Sequence, residues 1–294
     1  MRNMPNRKII FVLGMGRSGT SALTRVLSLC GGQLPENLLG ATDANPTGHW
    51  EPMDVLMLNI QFMERHGSSW FDPTLRLQSG YSVKQEAKEE YVRQIHTLLE
   101  TFPNEPFLII KEPRIAALAE FWFEACDRAG FEIRIVIPVR HPDEVSMSLA
   151  TRDGVSAELS GMLWLKYNLL AERHSRRFRR VFVEYPNLIA DWKREVRRIS
   201  GQLAIELNPV EEQVDRFIVG KLHRQRSHER PKEMFNQGWT RQVYAAFSAA
   251  ARDESFDEAM LDSVFAAFQS NEHMFRISLD DFQTRFAPQL SLAV

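Results

Sequence analysis

The chain has 294 residues, 44% of them apolar and 25% charged, with 36 Lys and Arg set against 38 Asp and Glu. This composition supplies a sizeable core and excludes the disordered and fibrous classes, and the near-neutral balance argues against a general partner role with nucleic acid or an anionic membrane. Two cysteines, Cys30 and Cys126, make neither a disulfide framework nor a zinc site, and no apolar run approaches the ~20 residues of a membrane span, so a reducing, cytoplasmic setting without a metal is expected.

In chain order, Lys8 to Leu13 is a short apolar run that leads into glycines, the pattern of a strand buried on both faces. Leu23, Val26, Leu27 and Cys30 then fall at i, i+3, i+4 and i+7 on a helix that Gly31-Gly32 ends. From Gln33 to Pro52 the chain has no period and is rich in Gly, Pro, Asn and Asp, which marks a long functional loop holding Glu36, Asp43, His49 and Glu51. Helices are expected over Met57 to His66 and Val83 to Glu100. A second strand, Pro106 to Ile110, ends at Lys111-Glu112-Pro113-Arg114, and a helix over Ala116 to Ala129 is closed by Gly130.

A third strand follows over Phe131 to Ile137, and Arg140-His141-Pro142 opens a helix with proline in its first turn. Leu159 to Arg177 is helical, Val181 to Tyr185 is a fourth strand, Trp192 to Leu203 is an amphipathic helix, and everything from Pro209 onward has a helical pattern. Strands alternating with helices predict an α/β fold: a P-loop-like parallel sheet with helices on both faces and a helical C-terminal region. One domain over 1–294 is expected, with its α/β core at about 8–207 and a helical completion at 208–294. The basic run Arg173 to Arg180 is expected to be a solvated helix end; the aromatic residues are expected to be core and cleft wall, with Trp50 and Trp70, near the acceptor loop, the exceptions that are candidates for a sugar-stacking platform.

Two segments carry chemistry. Gly14-Met15-Gly16-Arg17-Ser18-Gly19-Thr20-Ser21 joins the first strand to the first helix, where glycines let backbone N–H groups curl into an anion nest at the positive end of the helix. It keeps the outer glycines of G-x-x-x-x-G-K-[ST] but has Thr20 in place of the triphosphate-grasping lysine and an arginine, Arg17, inside the loop, which argues against an ordinary NTPase. The other is Arg140-His141-Pro142-Asp143-Glu144-Val145-Ser146-Met147-Ser148. There a strand delivers Arg140 to its carboxyl end and the next helix returns Ser148 about two turns later, so a planar fork and a hydroxyl are available to a phosphate.

Together the two segments resemble those of the cytosolic and Golgi-type sulfotransferases, which use 3′-phosphoadenosine 5′-phosphosulfate (PAPS) as donor; the resemblance covers about Lys8 to Leu207. It implies that Arg17-Ser18-Gly19-Thr20-Ser21, similar to R/K-S-G-T-[ST], holds the 5′-phosphosulfate together with Gly16. It also implies that Arg140 and Ser148, spaced as in R-x-P-x-x-V-x-x-S, hold the 3′-phosphate. Tyr185, in Val183-Glu184-Tyr185-Pro186-Asn187-Leu188, takes the place of the family's tyrosine beside the adenine, although Pro186-Asn187 replaces the usual acidic pair. Lys111 stands where the family has its catalytic-strand lysine.

The cytosolic enzymes place a histidine base two residues after that lysine, where this chain has Pro113. The loop Asn45-Pro46-Thr47-Gly48-His49-Trp50-Glu51-Pro52 is instead similar to the N-P-x-G-[YHF]-[WF]-E segment of bacterial members, which makes Glu51 the expected base, with Glu36, Asp43, His49 and Glu112 as alternatives. Arg230-Pro231-Lys232 and Gln237-Gly238-Trp239 faintly match the family's R-K-G-x-x-G loop over the donor. The resemblance implies sulfuryl transfer from PAPS, as co-substrate and without a metal, to a hydroxyl of a small-molecule or carbohydrate acceptor. Arg17, Lys111 and Glu51 are the expected catalytic residues. A P-loop-type small-molecule kinase and a catalytically silent nucleotide-binding protein are the alternatives.

Overall fold

Each of the four apolar runs becomes a strand: β1 (Lys8–Val12), β2 (Phe107–Ile110), β3 (Glu132–Val139) and β4 (Arg179–Glu184). The computed structural model describes residues 7–42, 45, 48–78, 83–218, 238–271, 281 and 285. All strand pairs are parallel, in the order β2-β1-β3-β4, with Ile10 opposite Ile109 on one side and Phe11 opposite Ile135 on the other. Both faces are covered, which is why the strands read as continuous apolar runs. Ile9 and Phe11 enter one core, Ile10 and Val12 the other, and all four are fully buried.

The helices up to the third strand are α1 (Thr20–Leu29), α2 (Met53–Arg65), α3 (Gln85–Glu100) and α4 (Ile115–Arg128). Next come α5 (Pro142–Asp153), α6 (Ala157–Ser175), α7 (Tyr185–Ala190), α8 (Trp192–Leu203), α9 (Glu211–Ile218), α10 (Trp239–Ala251) and α11 (Glu258–Ser270). Side chains of α1, α8 and α9 fill the smaller core, and those of α2, α3, α4, α6, α10 and α11 the larger one. Trp122 and Trp164 are among the largest fully buried side chains there, each contributing on the order of 2–3 kcal/mol of apolar burial. The connection from β1 leads outward to β2 and that from β3 outward to β4. The carboxyl ends of β1 and β3 therefore flank a switch point, the crevice where open α/β sheets bind ligands.

Several boundaries differ from the sequence expectation, each for a physical reason. Helix α2 begins at Met53, ahead of the apolar period, because Pro52 enters it in extended geometry and Asp54 suits the first turn. Strand β3 runs on through Pro138 to Val139. Val136 bonds toward β1 through Leu13 N–H, and position 138 faces the same side after β1 has ended, so the N–H that proline lacks has no ladder partner to lose. Helix α7 follows β4 without a loop, starting at Tyr185 with Pro186 in its first turn, where the expectation was strand.

The basic run is only in part the solvated end expected: Arg173, Arg177 and Arg179 are exposed, but Arg173, Arg176 and Arg180 also take specific partners. Arg176 Nη1 lies 2.9 Å from Asp262 Oδ2, Arg173 Nη1 2.8 Å from Asp262 Oδ1, and Arg180 Nη2 2.6 Å from Glu258 Oε1, with Glu172 buried between Arg176 and Arg180. The arginines thus dock α11 against α6 as a shared network, where isolated surface pairs would contribute little. Of the faint C-terminal motif, Gly238 and Trp239 open α10. Residues 230–232 and Gln237 lie outside the described residues. Among the described residues no helix is long and apolar enough to cross a membrane.

Candidate active site

The loop between β1 and α1 turns through left-handed backbone at Gly14, Arg17 and Gly19, with φ of 120°, 67° and 88°. For Arg17, which has a Cβ, this conformation carries a cost, and contacts from distant segments hold it there. Arg17 Nε donates to Ser148 Oγ at 2.9 Å, and the Arg17 carbonyl accepts from Arg140 Nη1 at 2.9 Å. The two phosphate-type segments of the sequence are therefore locked to each other. From the larger core, Asn168 Oδ1 of α6 accepts the Met15 N–H at 3.2 Å and fixes the start of the loop.

Arg140 is buried and acts first as a clamp. Its Nε donates to Glu144 Oε2 at 2.8 Å, and its guanidinium lies 5.1 Å from the centre of the Tyr185 ring. Tyr185 packs directly on the loop, and a Cβ added at Gly19 would stand 2.3 Å from its Cδ2. Gly19→Ala is therefore expected to push the tyrosine off the loop, lowering both the unfolding midpoint and the affinity for an anion, measured by thermal unfolding with and without ligand. A midpoint and affinity equal to wild type would show that the ring does not brace the loop. The Ser18 hydroxyl is buried with no hydrogen-bond partner among the described residues. An orphaned hydroxyl in a left-handed, glycine-bearing loop at a helix N-terminus fits a phosphate or sulfonate group.

Lys111 leaves the carboxyl end of β2 and is 2% exposed. Its Nζ donates to Glu51 Oε1 at 2.5 Å and to the His49 carbonyl at 2.9 Å. Both partners come from the long loop, which turns at Trp50 through a left-handed φ of 59° and is tied back where Leu39 N–H donates to the Glu51 carbonyl at 2.7 Å. Burial pushes the Glu51 carboxyl up, but the charge and hydrogen bond of Lys111, helped by Arg114 and His49, outweigh it and hold the group below its usual range. Burial lowers His49, with Lys111, Arg152 and Arg17 adding to the effect against Glu51, so its imidazole is neutral at neutral pH. His49 Nε2 also lies 2.9 Å from Thr42 Oγ1.

These groups open into one cavity of about 460 Å³. Gly16, Arg17, Thr20 and Ser21 form its loop side; His49, Glu51, Lys111 and Pro113 its centre; and Leu56, Ile60, Met63, Trp70 and Phe71 an apolar wall. Ser18 and Gly19 lie in the same loop, while Ser148, Arg140 and Tyr185 stand behind it, bonded to or packed on it. Of the two candidate tryptophans only Trp70 lines the cavity; Trp50 packs beneath the Arg25 guanidinium, 4.5 Å from it. Glu36 is exposed and Asp43 lies outside the described residues. Glu112 is fully buried and turned toward Asn59 and Arg114.

Four charged residues of the cavity escape the sequence reading: Glu64, Arg114, Arg152 and Asp153. Arg114 stands three residues after Lys111 and could have been marked by that spacing. The pair Arg152–Asp153, at the end of α5, carries no local signal, because only the direction of α5 brings it to the cavity. Among the described residues no group of three or more His, Cys, Asp or Glu is arranged to hold a metal ion.

A family model described as the sulfotransferase family matches residues 10–209. Among solved structures, the sulfotransferase domain of the Synechococcus PCC 7002 olefin synthase is similar at 18% identity and a TM-score of 0.48, covering 84% of this chain and 98% of that one. The sulfotransferase domain from the curacin biosynthetic pathway is similar at 15% identity and a TM-score of 0.41, covering 87% and 90%. None of the curated proteins matches. The family match spans the Arg17 loop, the Lys111–Glu51 pair, the Arg140–Ser148 segment and Tyr185 in a single run over more than half of the chain, and the chain belongs to the sulfotransferase family.

Proposed function

We propose that the protein transfers the sulfuryl group of PAPS to the hydroxyl of a small acceptor by in-line displacement, with Arg17, Lys111 and Glu51 as catalytic residues. The observation that carries this reading is the Lys111–Glu51 pair opening into the same cavity as the Arg17 loop. Gly16, Ser18, Gly19, Thr20 and Ser21 would cradle the phosphosulfate, and Arg140, Ser148 and Tyr185 would take the 3′-phosphate and adenine side. PAPS supplies an activated sulfuryl group; the chain's own residues supply charge, position and a base.

In such a displacement, negative charge grows on the bridging oxygen and on the equatorial oxygens. Arg17 and the loop N–H groups neutralise it from one side. Two protons of Lys111 Nζ are engaged by Glu51 and His49, and the third has no partner among the described residues, so it is available to an oxygen in the cavity. Glu51, ionised at neutral pH through its contact with Lys111, would accept the acceptor proton as attack proceeds. The cations already stand in place, so little reorganisation accompanies the reaction.

We further read the helical C-terminal region as part of the same unit as the sheet, since Val243 and Phe247 of α10 enter the larger core beside Phe182 of β4. The two cysteines are free and buried, with burial pushing the Cys30 thiol up to about 12, which suits a reducing cytoplasm.

Thermal unfolding with adenosine 3′,5′-bisphosphate, AMP and Mg-ATP tests the donor. A ligand at about 100 times its Kd adds about 2.7 kcal/mol, enough to move the midpoint of a chain this long by several degrees. Stabilisation by the bisphosphate alone is the expected result; stabilisation by Mg-ATP and not by the bisphosphate would replace sulfuryl with phosphoryl transfer. Arg140→Ala is expected to weaken bisphosphate binding by about 1.5–3 kcal/mol, the scale of a charged hydrogen bond, and to leave AMP binding less affected. Equal losses for the two nucleotides, measured by titration calorimetry, would assign Arg140 to bracing the loop alone.

A further inference from the structure

We propose that Arg114 reads the acceptor, and that the acceptor is a compact alcohol or phenol with an apolar body and one planar oxygen acceptor, a carboxylate or a carbonyl. This deepens the sulfuryl-transfer reading and rests on it.

One edge of the Arg114 guanidinium is pinned from behind. Nη1 donates to Glu112 Oε1 at 2.5 Å, Glu112 Oε2 accepts from Asn59 Nδ2 at 2.5 Å, and Asn59 Oδ1 accepts from Tyr91 OH at 2.5 Å and Trp122 Nε1 at 3.0 Å. Glu112, Asn59, Tyr91 and Trp122 are each at most 1% exposed, and the last three come from α2, α3 and α4. A fully satisfied buried network of this kind holds its end group in one orientation. The other edge is open. Neither Nε nor Nη2 has a hydrogen-bond partner among the described residues, and neither is among the buried orphaned atoms, so both reach the space that the residue lines, which is the cavity.

A guanidinium fixed along one edge and open along the other is a receptor for a planar oxygen group, and its fixed position lowers the ordering cost of binding. Arg114 and Glu51 line the same cavity and act on each other by charge, so one acceptor can present an oxygen to the guanidinium and a hydroxyl to the carboxylate. The rest of the acceptor meets a mostly apolar wall, Leu56, Ile60 and Met63 of α2 together with Phe71, in which Glu64 and Ser69 are the polar side chains. That lining favours an apolar body over a carbohydrate.

The test uses the full chain saturated with adenosine 3′,5′-bisphosphate, so that binding is read without turnover, and three probes of nearly equal size: 3-(4-hydroxyphenyl)propanoate, its amide, and 4-propylphenol. Arg114→Met is compared with wild type. Because that change leaves Glu112 buried without its cation, the double variant Glu112→Gln/Arg114→Met serves as a second, better-matched background. Both variants are expected to bind the propanoate, or the propanoate and the amide, about 10–100-fold more weakly while 4-propylphenol changes by less than about twofold. Loss for the acid alone assigns a carboxylate, and loss for both assigns a carbonyl oxygen. Equal changes for all three probes, no change for any, or no binding of any probe to wild type overturns the proposal. If the bisphosphate itself fails to stabilise wild type, it is the sulfuryl-transfer reading that falls.

Discussion

Lys111→Ala is expected to lower kcat by about 10²–10³-fold and to move the acidic limb of the pH–rate profile toward neutrality. The first effect follows from removing a preorganised cation at the centre of the cavity, where the loss of one stabilising donor costs about that much. The second follows from what surrounds Glu51. Burial is the largest influence on its carboxyl and acts upward, and Lys111, by charge and by hydrogen bond, is the leading influence that opposes it. Without Lys111 the burial effect prevails and the carboxyl stays protonated to higher pH. In wild type the lowered carboxyl stabilises the fold at neutral pH, a contribution lost as pH falls through the lowered value; in the variant the sign reverses, and the buried carboxylate opposes folding as pH rises. Steady-state kinetics from pH 4 to 9, with unfolding midpoints over the same range, would check both. A variant whose rate falls while its pH profile stays unmoved would leave Lys111 its catalytic role and remove Glu51 from the proton transfer.

Glu51→Gln is expected to cut kcat by about 10²–10⁴-fold, the usual contribution of a positioned base, with unchanged affinity for adenosine 3′,5′-bisphosphate. Glutamine keeps an oxygen for Lys111 Nζ, so the contact that holds the long loop to β2 persists, but it cannot take up a proton. In wild type the acidic limb is expected below the ordinary carboxylate range near 4.3, because Lys111 holds the group down, and the rate is flat through neutral pH. His49 is the internal control. It lines the same cavity with a neutral imidazole, so a small effect of Glu51→Gln together with a large effect of His49→Ala would transfer the role of base to it.

Much of this architecture is legible in one dimension. The strands β1 to β4 announce themselves as apolar runs because both faces of a parallel sheet are covered, and Trp192–Leu203 is helical with the expected limits because its apolar stripe is strictly periodic. Gly14 and Gly19 of the first loop stand where the chain turns left-handed, a requirement local to each residue. Less legible were α7, whose single turn and a half leaves no period to detect, and the basic run near Arg176, whose partners Glu258 and Asp262 lie 78 to 89 residues away.

The candidate site divides along the same line. Sequence alone determined the four strands, the anion loop around Arg17 and the identity of Arg140 and Ser148 as candidates, because strand period, turn chemistry and motif spacing are properties of near neighbours; Lys111 came from the family resemblance. Tertiary structure alone decided that Glu51 meets Lys111 across 60 residues, that Arg17 is gripped by Ser148 and Arg140 across 131 and 123, and that Arg114 is pinned at one edge and open at the other. Each of those facts depends on the direction in which distant elements leave the sheet, and that direction is set by packing on its two faces, which no local pattern records.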